Sequence, residues 1–286
     1  MTSDAPGWRD TAVLLFVLLN LTVIGGDVAI AHAGNHYRAP AEWWPVEATF
    51  IFFAAAIGIV APWAIRGVQP LGRTGRVILR TVFVLAIALG VYGLAAHFLS
   101  QSARGTQVRR YIFSAPIIAP LAYAGLGILG LAFLDLPHRV QRRRFYWLCA
   151  TLGLAGNAVL VLQDHAQSGF FTAPELFAVG AAAVPVPVAA LTAFRSEARR
   201  EQLLGANVAV ALLSVLTGML GVFFHVHALL RDFGTAFTRW TDGAPPLAPG
   251  LLTDLGLFVL LLVWKERGER RDRVSLAPGR GSEAKE

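Results

Sequence analysis

Histidine and glutamate recur in this chain at one fixed spacing. His32-Ala33 is followed after eight residues by Glu42, and His165-Ala166 is followed after eight residues by Glu175. Two further histidines, His97 and His225, stand at the ends of apolar stretches, with His227 two positions beyond the latter. Imidazole and carboxylate ligands suit zinc, iron, copper or manganese. Two histidines on facing helices can instead ligate a haem b iron axially. His32, Glu42, His97, His165, Glu175 and His225 are therefore candidate ligands for a divalent transition metal or a haem, in one site on an axis or in two equivalent sites. His225 and His227 are two apart and leave a helix on different sides, so both cannot serve one mononuclear centre. Asp27, Asp164 and Asp254 lie close enough in sequence to stand behind such ligands and orient them.

The competing explanation is structural. Helix ends in a membrane interface carry His, Glu, Trp and Tyr for solvation alone, and Trp43, Trp44, Tyr111 and Trp240 fit an aromatic belt. His36 and His138 belong to that class. No HExxH, CxxC or Gly-rich phosphate loop occurs, and no nucleophile–base pair or acid pair can be placed, so the residues do not define an enzyme.

What must position these side chains is a set of membrane helices. The 286 residues are 55% hydrophobic and only 15% charged, where a soluble domain carries about 25% charge. The apolar residues gather in blocks of about 20, enough to cross a bilayer. The predicted spans are 11–32, 46–65, 77–99, 115–135, 146–164, 175–194, 204–230 and 247–265. The expected fold is all-α, a polytopic membrane protein whose partner is the lipid bilayer, with room for other membrane subunits. A net charge of +7 needs no nucleic acid, because basic cytoplasmic loops account for it. A single cysteine, Cys149, excludes an internal disulfide and a cysteine-cluster metal site.

The chain also contains one 23-residue stretch twice. Gly105–Gly127 and Gly234–Gly256 both spell G-T-x3-R-[YW]-x3-A-P-x2-A-P-x5-L-G, with nine identities and no gap. Together with the His-Ala-x8-Glu recurrence, this predicts two parallel four-helix repeats (4+4), related by an axis along the membrane normal. The first repeat covers 1–136 and the second 137–266, followed by a charged, disordered cytoplasmic tail over 267–286. Arg110 and Arg239, repeated at matched positions, are candidates to hold an anionic head group or substrate. The paired prolines, Pro116 with Pro120 and Pro245 with Pro249, predict unwound first turns facing the bundle interior. Pro185 and Pro187 predict a kink. Asn20 and Asn157, mid-span, need no more than interhelical hydrogen bonds.

Basic residues set the orientation. Nineteen Lys or Arg fall at the N-terminus, the even-numbered loops, the start of the third span and the tail, against six in the odd-numbered loops. Both termini are therefore expected in the cytoplasm, with Arg142, Arg143 and Arg144 as a retention signal. Only two of the 25 basic residues are Lys, which suggests a high-GC bacterial genome and hence the cytoplasmic (inner) membrane. The first span is expected to be retained rather than cleaved, since Asn20 and Asp27 interrupt its apolar run and the fifth span is its counterpart. The functional alternatives are a 4+4 permease for a small solute and a structural or assembly subunit. Fusions test the topology. A cytoplasmic reporter at Arg143 or the C-terminus, and a periplasmic reporter at Ser168, are expected to be active, and a silent Ser168 fusion on a well-expressed protein would sink the eight-span arrangement.

Overall fold

The computed structural model describes residues 8–34, 36–68, 71–99, 107–113, 115–170, 172–231 and 247–276. All regular structure among them is helical. The helices are α1 (Trp8–Gly34), α2 (Trp44–Arg66), α3 (Arg73–Leu99), a short α4 (Gln107–Phe113), α5 (Leu121–Asp135), α6 (Arg139–Ser168), α7 (Ala173–Ala183), α8 (Pro185–Phe194), α9 (Glu197–Arg231) and α10 (Gly250–Leu276). Each of the eight apolar stretches read from the sequence contains helix, those at 115–135 and 247–265 opening in turns and that at 175–194 broken at Val184. Six helical stretches are long and apolar enough to cross a membrane: Trp8–Gly34, Pro40–Arg66, Arg73–Leu99, Arg139–Gln167, Ala173–Phe194 and Arg199–Arg231. That is the make-up of a helical membrane protein. The apolar α5 is shorter, at 15 residues.

The prolines act where their chemistry dictates. Pro185 has no N–H to give the helix, so α7 stops at Ala183 and α8 starts beyond it, with Val184 N–H still donating to the Gly180 carbonyl. The stretch from Ile117 to Pro120 forms turns, and α5 begins at Leu121 with Pro120 as its cap.

Glycine then lets helices approach until backbones touch, and the approach recurs. A methyl group on Gly90 would lie 2.6 Å from the Ala124 nitrogen, and one on Gly218 would lie 2.6 Å from the Thr253 nitrogen. Gly93 sets its Cα against Pro120 as Gly221 does against Pro249; an added Cβ would fall 2.7 Å from the proline Cβ in both. Gly127 faces the Phe83 carbonyl and Gly256 the Ala211 carbonyl. In every pair the α3 and α9 residues are 128 apart and the α5 and α10 residues 129 apart. The wider contacts follow suit. α3 packs along α5 and α9 along α10, α1 packs on α2 and α6 on α7 and α8, and across the middle α1 meets α10 while α6 meets α5.

At the end where α1 and α6 start, charges are buried rather than solvated. Asp10 accepts from Arg142 Nη2 at 3.2 Å and lies 3.2 Å from Lys265 Nζ. Lys265 pairs with Glu269, whose other oxygen is 3.3 Å from Arg139. The side chains of Asp10, Arg142, Lys265 and Glu269 are only 2–3% exposed. Trp147 Nε1 donates to Glu266 at 2.6 Å, and Arg200 stands 3.8 Å from the same carboxylate. Arg142 and Arg143 are buried among the helices. One expectation is corrected. The final helix continues to Leu276 instead of ending in a disordered tail at 267, because Glu269 is locked inside and Arg9 pairs with Asp272, whose carboxyl that hydrogen bond holds below its ordinary range. Residues 277–286 of that tail lie outside the described residues.

Two measurements in detergent check this packing. Gly90→Ala and Gly218→Ala should each lower unfolding stability by about 1–3 kcal/mol, because the new methyl meets backbone, whereas Gly26→Ala, with open space around it, should not. Arg142→Leu removes a cation paired with the buried Asp10 and should cost about 3–5 kcal/mol, against within about 0.5 kcal/mol for the exposed Arg144→Leu.

Candidate functional site at the histidine end

Asp10 meets Arg142 near the start of both helices, so α1 and α6 run parallel. α3 and α9 run opposite to the α5 and α10 they embrace. His32, His97 and His165 occupy the last turns of α1, α3 and α6, where a cationic group also complements the helix dipole. His225 sits in the last two turns of α9.

The chain leaves α1 and α6 by the same backbone turn. His36 and Tyr37 have φ of 58° and 47°, and 133 residues on Gly169 and Phe170 have 72° and 55°. The Tyr37 N–H donates to the His32 carbonyl at 3.3 Å, and the Phe170 N–H donates to the His165 carbonyl at 3.2 Å. Positive φ is unfavourable for bulky side chains. In the first turn it is held by Tyr37, which stacks on Trp43 at 3.9 Å and donates its hydroxyl to the Ala29 carbonyl at 2.8 Å. The chain then closes a 3-10 turn at Pro40–Glu42, which carries Glu42 back over His32.

The outcome is a pair of oriented imidazoles. His32 Nδ1 lies 2.7 Å from the Glu42 carbonyl oxygen, and His97 Nδ1 lies 2.8 Å from the Pro116 carbonyl oxygen. A carbonyl only accepts, so Nδ1 is a proton-bearing nitrogen in each ring and Nε2 is the one turned away from that backbone partner. The two ring centroids are 6.5 Å apart with planes inclined at 58°. In the other half, His165 Nδ1 stands 3.8 Å from Glu175 Oε2, and His165 interacts electrostatically with His225. Thr172 Oγ1 donates to Glu175 Oε1 at 2.9 Å, which fixes that carboxylate at the start of α7.

The six candidate ligands thus divide into two groups. His32 and His97 converge with the Glu42 backbone; His165 and Glu175 converge with His225 nearby. Among the described residues, no group of three or more His, Cys, Asp or Glu gathers as a metal-ligand cluster. His227 is turned away, stacked on the exposed Phe223 at 5.8 Å. The 128-residue step of the glycine contacts makes His225, not His227, the counterpart of His97. His138 lies at the opposite end, before α6. Arg110 is on α4, but its side chain and the whole of Arg239 lie outside the described residues, as do Trp240 and Pro245.

Sequence reasoning missed two things. Carbonyl partners for the His32 and His97 rings come from loop backbone, which leaves no residue-type signal. The inward-facing Arg142 looks in sequence like any basic loop residue, and only its opposition to the single acid Asp10 near the start of α1 could have hinted at a pair. Comparison with protein-family models, curated proteins and solved structures finds no match.

Proposed function

We propose that this is a multi-pass protein of the bacterial cytoplasmic membrane, built as two parallel four-helix repeats of eight spans with both termini in the cytoplasm. At its outward face each repeat presents one histidine pair, His32 with His97 and His165 with His225, that binds a divalent transition metal or a haem b iron. The observation that carries the reading is the His32–His97 pair, with both Nδ1 atoms on backbone carbonyls and the rings 6.5 Å apart. Tying Nδ1 to a carbonyl is how proteins orient a metal-binding imidazole and raise its basicity. A metal or haem iron would be held by the Nε2 atoms of His32 and His97, whose ring centroids are 6.5 Å apart. Support for the repeats comes from the recurring glycine contacts and the recurring turn after α1 and α6.

Bound at such a place, a metal or haem would supply electron transfer or Lewis acidity. The protein's own part is to hold Nε2 in direction and set the site at the wet interface. The second reading, a small-solute permease, is favoured by the Asn20–Asp254 hydrogen bond inside the bundle. Metal and haem analysis of the purified protein decides between them. Stoichiometric metal or a haem band is expected, with His32→Ala or His97→Ala removing one share and His165→Ala or His225→Ala the other. His36→Ala and His227→Ala should keep the full complement. A protein with neither metal nor haem, fully folded, would eliminate the site.

A further inference from the structure

At the end of the bundle where Asp10 is buried, α3 opens on a cleft lined with arginine. The His32–His97 pair sets the last turn of α3 beside that of α1, so the first turns of α3 lie at the opposite end. There Leu71, Arg73, Arg76, Val77 and Arg80 line a cleft of about 580 Å³, within the about 300–1,000 Å³ that ligand sites occupy. Arg73, Arg76 and Arg80 follow one another at i, i+3 and i+7. One face of the helix therefore carries all three, over about 10 Å of its length.

These side chains are available to a ligand. Arg76 Nε donates to the Leu71 carbonyl at 3.2 Å, which uses one of its five N–H donors. Arg80 pairs with Asp135 at the end of α5, but the two side chains are 59% and 44% exposed, and a pair so open to water is weak. Arg73 is exposed. No Asp or Glu occurs between Glu47 and Asp135, so the end of α2 and the start of α3 carry Arg66, Arg73, Arg76 and Arg80 and no acid. Each of these cations is Arg, whose planar fork matches phosphate oxygens two at a time.

Beyond the arginines the same face turns apolar. Val77, Val84 and Val91 recur every seven residues and are all exposed, and no charged residue follows Arg80 before His97. The recurrence of packing between α3 and α9 shows what the scaffold itself requires. At the 128-residue step of the glycine contacts, Val84 and Val91 correspond to Leu212 and Met219, which are exposed and apolar too. Arg73, Arg76 and Arg80 correspond to Glu201, Leu204 and Val208, and Glu201 pairs with Arg270 of α10. The apolar ladder recurs and the basic head does not. A topology signal needs basic residues near a helix end; it does not need three of them aligned over one cleft.

We propose that this cleft binds an anionic phospholipid in the leaflet at the Asp10 end. Its phosphodiester sits among Arg73, Arg76 and Arg80, and an acyl chain lies along Val77, Val84 and Val91. Basic pockets at the membrane surface between helices recognise lipid head groups in this way. The apolar ladder leading out of the cleft selects a lipid over a free anion, which would gain nothing from it.

Native mass spectrometry of the full chain in detergent, titrated with phosphatidylglycerol, reads the site. The wild type is expected to retain one phosphatidylglycerol saturably, and phosphatidylcholine of the same chains far more weakly. Each arginine near anionic lipid contributes about fivefold, so Arg73→Gln/Arg76→Gln/Arg80→Gln should weaken binding about a hundredfold. Arg144→Gln/Arg195→Gln/Arg267→Gln removes the same charge from exposed positions outside the cleft and should bind as the wild type does. A second measurement needs no substitution. In phosphatidylcholine vesicles doped with a phosphatidylglycerol photoreactive in its acyl chain, labelling should concentrate on the α3 peptide holding Val77 and Val84. A photoreactive phosphatidylcholine at the same level should not concentrate there. No loss in the first variant, equal loss in both variants, or equal labelling by the two lipids would overturn the proposal. Release of bound phosphatidylglycerol by millimolar inorganic phosphate would overturn it as well, by making the ligand a free anion.

Discussion

The bundle depends on the Asp10 carboxylate, which sits at 2–3% exposure between Arg142 of α6 and Lys265 of α10. Taking these charges out of water costs several kcal/mol per ion, repaid only when geometry and partners are complete. Such a cluster tolerates little rotation or sliding of α1, α6 or α10. Because helices are stiff rods, fixing their angle at this end also fixes it twenty-two residues away, at His32. The pairing of Asn20 with Asp254, midway along, is a consequence of the same register.

Within that frame the two halves repeat their backbone more faithfully than their chemistry. The glycine and proline contacts of α3 with α5 return in α9 with α10, and the turn after α1 returns after α6. The polar side chains diverge. His32 leans on a backbone carbonyl where His165 faces a carboxylate. These recurring contacts are made by backbone approach through glycine, so they do not depend on the polar side chains that differ.

Much of this was legible in the sequence. Length and apolar blocks revealed the helices, since blocks of about 20 apolar residues fit a membrane helix and not the shorter, alternating strands of a barrel. The Pro185 break and the Pro120 cap followed from a missing N–H. His32 and His97 were singled out by type and place, and they do face each other. What sequence could not convey is direction. Arg142 in a basic run reads as solvated until the rotation of α6 is known. The charged end of α10 reads as a tail until Lys265 and Glu269 are seen buried. The split of the candidate ligands into two groups depends on which helices pack side by side, a matter of tertiary contact rather than of residue spacing.

The shortness of α5 affects the membrane itself. Fifteen residues span about 22 Å, against a hydrocarbon thickness of about 30 Å. The Pro116–Pro120 turns take up the difference as non-helical backbone, with the Pro116 carbonyl occupied by His97. If α5 crosses the bilayer, its hydrophobic length falls several ångströms short of that of the 27-residue α1 and α3, and the mismatch would be met by thinning or tilt on the His97 side of the bundle.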